Sequence, residues 1–296
     1  MMRPLTLEQA CSPQQLLLGW QRIRRNRGSQ GMDDFAEPQN IEAVILQLHR
    51  ELISGNYQPR PLLFVPTFTN GKKRELALPS IHDRVIQSGI SLLLIEYIDL
   101  FFEDCSFAYR PERSIQMAQA AVLKHIHSGR HFIVRADVKD CFDTVEFGVV
   151  KDLLAIYIQD HRLVDLIMRF ISAPLLRKDG ARVSLPARRT AMSAFREGQL
   201  IRRSCGIPQG APLSPLLCNI VLDVFDKEMV DAEHVHVRYA DDLVLLGFNR
   251  YETHAVLSLA QQILSDIGLQ INRDKTYETH WQLGFQFLGE SFRKGD

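Results

Sequence analysis

The chain has 296 residues, 46% of them hydrophobic, enough to bury a sizeable core as one large domain or two subdomains. Basic and acidic residues balance at 35 each, so any positive groove for nucleic acid has to come from local clustering. The five cysteines (11, 105, 141, 205, 218) are scattered and lack Cys-x-x-Cys spacing, which argues against disulfides or a zinc site and points to reduced thiols in a cytoplasmic protein. No apolar export core opens the chain, and Glu96 and Asp99 interrupt the run Leu92–Ile95, so no export signal and no membrane partner are expected.

A helix is predicted at about 14–27, ending basic at Arg22, Arg24, Arg25 and Arg27. Gly28 and Gly31 then mark a turn able to bring backbone amides near a phosphate. Asn40 caps a second helix whose apolar positions Ile41, Val44, Ile45, Leu48 and Leu52 are core spacing. Pro59, Pro61 and Pro66 punctuate the extended segment Leu62–Phe68, an expected edge strand. Asn70-Gly71 is a hairpin turn signal, and beyond it Lys72 and Arg74 share one strand face. Two cations on one rigid face suit a triphosphate, although an exposed charged hairpin has the same pattern.

A long apolar helix runs from Ile81 to about Phe102, Ser114 caps another to about His127, and a strand at 131–138 carries Asp137 near its end. Helices at about 146–158 and 161–173 follow. Leu176 to Arg203 reads as irregular and basic, fit either to grip a phosphate backbone or to dock a protein. Gly206-Ile207-Pro208-Gln209-Gly210 is a turn through which backbone can approach a ligand, and a helix follows at about 213–230. The β-rich runs Val235–Tyr239 and Leu243–Leu246 flank Asp241 and Asp242, and an amphipathic helix at 252–267 stops at Gly268.

A lone Asp-Asp between strands is usually a surface turn. Here the flanks are too apolar for a free-standing hairpin, and adjacent strand residues point to opposite faces, so the two acids need not serve one purpose. Asp137 ends a similar buried strand. Acids gathered from two such strands form a costly like-charge cluster, tolerable when a divalent cation neutralises it.

Tyr239-Ala240-Asp241-Asp242 resembles the active-site turn of reverse transcriptases. Other stretches resemble, in order, further parts of the group II intron lineage of that family. Asn26–Asp33 resembles the N-terminal extension motif, Ser106–Ser114 the Phe-Arg-Pro-x-Arg-Ser segment, and Asp137–Asp143 motif A. Gly206–Gly210 resembles motif B, Gly268–Thr276 motif D, and Phe285–Gly289 motif E, the primer grip. The resemblance spans about residues 20 to 290. It implies an α+β right-hand polymerase with fingers and palm, an antiparallel palm sheet backed by helices, and no encoded thumb. Fingers would cover 1–130 and, with the basic loop, 145–203; the palm would cover 131–144 and 204–296.

The resemblance implies RNA-directed DNA polymerase activity with two Mg²⁺ ions, Mn²⁺ being a substitute. Asp137, Asp241 and, more weakly, Asp242 would be catalytic metal ligands, joined by the Val138 carbonyl. Lys275 would protonate the leaving pyrophosphate. Lys72, Arg74, Phe142 and Gln209 would contact the dNTP, with Phe142 beneath the sugar. Arg110, Arg113, Gly210, Phe287, Leu288 and Gly289 would contact template or primer. The implied partners are an RNA template, a DNA or RNA primer and dNTPs. Where the chain departs from the family, in lacking a thumb and in its balanced charge, a further partner is expected: a CRISPR integrase or another protein supplying thumb function, in spacer acquisition or phage defence. Two rival readings stand beside this one. A nucleotide cyclase shares metal-binding acids on a palm-like fold but has no need of Gly206–Gly210 or the Lys72/Arg74 pair. A polymerase-shaped nucleic-acid-binding protein of weak activity has no need of all three carboxylates.

Overall fold

The computed structural model describes residues 5–26, 40–69, 72–178 and 198–293. Residues 28–33 of the N-terminal motif, the Asn70-Gly71 turn and the middle of the basic segment, with Arg182, Arg188, Arg189 and Arg196, lie outside them. So do the side chains of Lys72 and Arg74. The chain divides into two compact units, residues 1–97 with 151–214, and residues 98–150 with 215–296.

In the first unit, α1 (Leu7–Ala10) begins at a capping box in which Thr6 and Gln9 satisfy each other's backbone amides. Helix α2 (Pro13–Asn26) meets α4 (Ile81–Ile98) through glycines. A Cβ on Gly19 would lie 2.2 Å from the Val85 carbonyl oxygen, and one on Gly89 would lie 2.7 Å from that of Gln15, so neither position admits a side chain. Between them in sequence, Asn40 caps α3 (Ile41–Ile53) by accepting from the Ala43 amide. Ser80 opens α4 by accepting from the Asp83 amide; the buried Asp83 carboxylate in turn accepts from the Tyr57 and Ser80 hydroxyls.

Strands β1 (Leu62–Thr69) and β2 (Lys72–Leu78) pair antiparallel, with Thr69 opposite Lys72 and Thr67 opposite Arg74. The sheet order places β1 between β2 and β4 (Leu175–Lys178), not at an edge. Among the described residues β4 pairs only with Leu62 and Leu63 of β1, so no described ladder on that side calls for the N–H that Pro66 lacks. The segment expected to be irregular from Leu176 begins and ends as strand: β4 pairs antiparallel with β5 (Gly198–Ile201) in the register Leu175 to Ile201. Helices α7 (Phe147–Tyr157) and α8 (His161–Ile171) precede it, α8 capped by Asp160.

In the second unit, β3 (Phe132–Asp137), β6 (Val235–Tyr239), β7 (Asp242–Gly247) and β8 (Tyr277–His280) form an antiparallel sheet in the order β6-β7-β3-β8. Ile133, Val237, Val244 and Leu246 join Ala118, Val122 and Ile126 of α5 (Ile115–His127) in one core cluster. Helix α10 (Arg250–Asp266) packs on β7 and β3, and α9 (Ser214–Asp231) carries buried Leu217, Val221 and Phe225. Cover on both faces explains why Leu243–Leu246 is a continuous apolar run and not an alternating one. Helix α10 starts earlier than its apolar pattern predicts because Asn249 caps it, accepting from the Glu252 amide, while the Glu252 carboxylate accepts from the Phe248 amide just before the cap. A short helix, α6 (Cys141–Thr144), leaves the end of β3, and β9 (Phe285–Phe287) with β10 (Glu290–Phe292) forms a hairpin. Among the described residues no helix is long and apolar enough to cross a membrane.

Candidate active site

The register of the second sheet sets Asp137, the last residue of β3, directly opposite Asp242, the first of β7. Tyr239 also pairs with Asp242, so Ala240 and Asp241 are the two loop residues of the β6–β7 hairpin. Ala240 has φ +57° and Asp241 is not in the positive region, the sign pattern of a type II′ turn, whose first loop position normally takes glycine. An alanine there costs about 1–2 kcal/mol. The turn is tied to β3, since the Val138 amide donates to the Asp241 carbonyl at 2.9 Å.

The three carboxylates have different surroundings. Burial, followed by the charges of Asp137 and Asp242, pushes the Asp241 carboxyl above its usual range. Asp137 is nearly buried and receives the Lys275 ammonium on both oxygens, each at 2.8 Å; Asn272 reaches it at 3.4 Å. Lys275 is placed there by a short 3-10 turn, Arg273–Lys275, that Asn272 caps, and by the Asn272 amide donating to the Asp137 carbonyl. Asp242 is taken by Arg135, whose guanidinium donates to it at 2.9 Å. The same guanidinium donates to the carbonyls of Ala136, Leu243 and Gln286, and lies 5.0 Å from the centre of the Phe287 ring. Arg135 thus joins the acidic strand ends to the β9–β10 hairpin.

Asp137, Asp241, Asp242, Val138 and Lys275 come together in this one unit. Phe142 lies in α6, half-buried and outside the core, just after Asp140 in a left-handed conformation (φ +45°). Of the residues expected at template or primer, Arg110 is placed otherwise. It is buried, and its donors go to the Asp99 carboxylate and to the carbonyls of Asp99, Phe102, Glu103 and Ser106. A guanidinium so occupied braces its own loop and has no donor to offer a phosphate. Arg113 pairs with Asp104 at 2.6 Å and lies over the Phe107 ring. Phe287 is wholly buried in the core, whereas Leu288 and Gly289 form the β9–β10 turn with φ +53° and +83°.

The other expected contacts lie in the first unit. Lys72 and Arg74 occupy alternate positions on β2, as the pattern predicts. The Gln209 carbonyl accepts from the Ala77 amide of the same strand at 2.8 Å, joining the Gly206–Gly210 turn to β2. Gly206 and Gly210 have φ +88° and +102°, so both turn glycines are required by conformation.

Arg135, Arg238 and Asp226 were not singled out from the sequence. The available signal was a charged residue inside an otherwise apolar strand, two places before Asp137 and three before Asp241. Such a residue must find a partner when buried.

Residues 65–292 match the family model described as reverse transcriptase (RNA-dependent DNA polymerase). Protein YkfC of Escherichia coli (strain K12) is 27% identical over 289 residues, covering 83% of this chain and 71% of that protein. Group II intron-encoded protein LtrA of Lactococcus lactis subsp. cremoris is 28% identical over 215 residues, covering 71% of this chain but only 32% of its own length. Among solved structures, a chain of a partial Cas6-RT-Cas1–Cas2 complex shares the fold with a TM-score of 0.52 at 22% identity, over 88% of this chain and 41% of that one.

Proposed function

The chain belongs to the reverse transcriptase (RNA-dependent DNA polymerase) family, and on that premise we propose that it extends a primer with dNTPs on an RNA template, using two divalent cations held by Asp137 and Asp241. The observation that carries this reading is the convergence of β3 and the β6–β7 turn. It gathers acids at a buried turn, where burial and then the charges of Asp137 and Asp242 raise Asp241, with a lysine ammonium already standing on Asp137. A donor set of hard carboxylate oxygens with a cationic stand-in suits Mg²⁺ or Mn²⁺. Bound there, the ions would lower the pKa of the primer 3′-hydroxyl and neutralise the departing pyrophosphate.

The chain's own residues have separable tasks. Asp137 and Asp241 hold the charge that the ions need, with the Val138 carbonyl as a neutral ligand. Asp242, engaged by Arg135, acts by fixing the strand end more than by ligation. Lys275 gives a proton to the pyrophosphate. Lys72 and Arg74 neutralise the triphosphate, Gln209 contacts the nucleotide, and the Gly210 turn contacts the template. The test is extension of oligo(dT) on poly(rA) with Mg²⁺ or Mn²⁺. A cyclase would convert a nucleoside triphosphate without primer, and a binding protein would retain the duplex without extending it.

Two results are expected from single variants. Lys275→Met should lower kcat about 100-fold, within the range of general acid catalysis, while tightening Mn²⁺ binding, because the ammonium no longer competes for Asp137. Mn²⁺ titration followed by electron paramagnetic resonance, beside steady-state kinetics, measures both. Unchanged kcat would remove Lys275 from the reaction. Arg74→Ala should raise the dNTP KM and leave the primer–template Kd near wild type. The reverse split would make Arg74 a backbone contact.

A place in CRISPR spacer acquisition or phage defence, with an integrase as partner, is the finer part of the proposal. Its support is the shared fold with the Cas6-RT-Cas1–Cas2 chain. The absence of adaptation or defence genes beside its own would count against it.

A further inference from the structure

We propose that Arg238 is a positioning residue for Asp241, holding the catalytic turn in its left-handed conformation through a buried network with Asp226 and Asn219. This rests on the polymerase reading, in which Asp241 is a metal ligand. Arg238 is fully buried on β6, three residues before Asp241. Its Nε donates to both Asp226 carboxylate oxygens at 2.9 Å, and its Nη2 also donates to Asp226. Nη1 donates to the Asn219 side-chain oxygen at 3.0 Å and reaches the Ala240 carbonyl at 3.3 Å. Asn219 is itself fixed, its amide donating to the Ala108 carbonyl at 2.7 Å. The Arg238 backbone is paired on the same side, donating to the Cys105 carbonyl and accepting from the Phe107 amide.

The guanidinium is therefore clamped by Asp226 and Asn219 of α9, the Arg238 backbone and Asn219 are tied to the 105–108 segment, and the second Nη1 hydrogen is aimed at the turn. The Ala240 carbonyl belongs to the peptide that carries the Asp241 amide. With φ +57° at a residue bearing a Cβ, that peptide stays put only if its surroundings hold it. Arg238 holds one end of the turn, and the Val138 amide, bonded to the Asp241 carbonyl, holds the other.

Stability alone does not call for such a network. A well-packed apolar pair of similar volume commonly serves as well as a buried ion pair, or better. What an apolar pair cannot do is donate to the Ala240 carbonyl. Nor does the cluster read as a metal site. Cys105, Asp226 and His236 offer ligand atoms within 4.8 Å of one another, but Asp226 already carries the Arg238 guanidinium on both oxygens and accepts from His236 at 3.0 Å. Burial pushes the Asp226 carboxyl up, yet the Arg238 charge and the His236 and Arg238 hydrogen bonds outweigh it and hold it down to about 2.

The test uses the full chain with two variants. The double substitution Arg238→Met with Asp226→Leu exchanges the pair for apolar residues. Arg238→Lys keeps the charge but loses the fork. Each is made with and without Ala240→Gly, which lets the turn adopt positive φ unaided. Melting temperature, kcat, dNTP KM and Mn²⁺ affinity by electron paramagnetic resonance are read for all of them. The expected result is a melting temperature within a few degrees of wild type in at least one variant. In that variant kcat should fall about 100-fold, the cost of a misplaced group, with dNTP KM little changed. Mn²⁺ affinity should weaken about tenfold, as when a ligand loses its support. Ala240→Gly should restore most of both losses. A folded variant with wild-type kcat and Mn²⁺ affinity overturns the proposal, as does a loss that Ala240→Gly fails to restore. If wild-type protein does not extend a primer, the polymerase reading fails; the Mn²⁺ affinities still decide whether Arg238 positions Asp241.

Discussion

Asp241→Asn should abolish primer extension and, in the metal-free protein at neutral pH, raise the melting temperature. Asp241 is a carboxylate whose burial, together with Asp137 and Asp242, makes its charged form costly. Its folded pKa therefore lies above its unfolded one. The stability it contributes is complete below the unfolded pKa and is lost as pH rises through the folded pKa. At pH 7 the wild type carries that loss and the asparagine variant does not, so the gain should shrink as pH falls toward 4. Divalent cations should reverse the order, stabilising the wild type by binding the folded state and leaving the variant nearly unaffected. The ions supply several kcal/mol of charge stabilisation in the transition state. At about 1.4 kcal/mol per tenfold, losing a ligand should cost on the order of 10³-fold in rate or more. Asp137→Asn should be as inactive but gain less stability, because it also strands Lys275. Thermal melts at pH 4 and 7, with and without Mn²⁺, read the first effect, and extension assays the second. Near-normal extension by either variant would end the metal assignment.

The second large effect is on sugar discrimination. Phe142→Val should admit ribonucleotides while keeping appreciable use of dNTPs. The ring sits five residues after Asp137, in the short helix that leaves the catalytic strand, and is half-buried and outside the core. An aromatic face against the sugar excludes a 2′-hydroxyl by overlap and needs no hydrogen-bonding partner, because packed sites relax poorly around an added atom. The ratio of kcat/KM for dGTP over rGTP should fall about 10- to 200-fold, the range that a one-group difference in a pocket supports. A packing phenylalanine would behave otherwise: both rates and the melting temperature would drop together at constant ratio. That pattern would return Phe142 to a structural role.

Much of this protein was legible from short stretches. Asn40, Ser114 and Asn70-Gly71 announce two helix starts and a hairpin because caps and turns are made by residues a few positions apart. The same locality made Tyr239–Asp242, Gly206–Gly210 and Gly268–Thr276 readable as parts of one kind of site, and the turn glycines do need their positive φ. Even the α10 start is marked locally, by Asn249 at the cap and Glu252 three residues on.

The sequence by itself determined which chemistry the chain carries: the acids, the lysine near them, and the order of the elements that bear them. Only the tertiary structure decided how those groups are used. That Asp137 faces Asp242, and that Asp241 bears the raised pKa, follows from sheet register, which depends on every residue of both strands. That Arg135 takes Asp242 and the Gln286 carbonyl depends on partners 107 and 151 residues away. Arg110 stands in a segment that resembles a nucleic-acid contact, yet folding buries it among carbonyls of its own loop, because an arginine placed there has to satisfy its donors locally. Arg238 is one charge in an apolar strand until α9 brings Asp226 and Asn219 beside it. Residue type sets what a side chain can donate or accept; long-range packing chooses its partner, and no local pattern carries that choice.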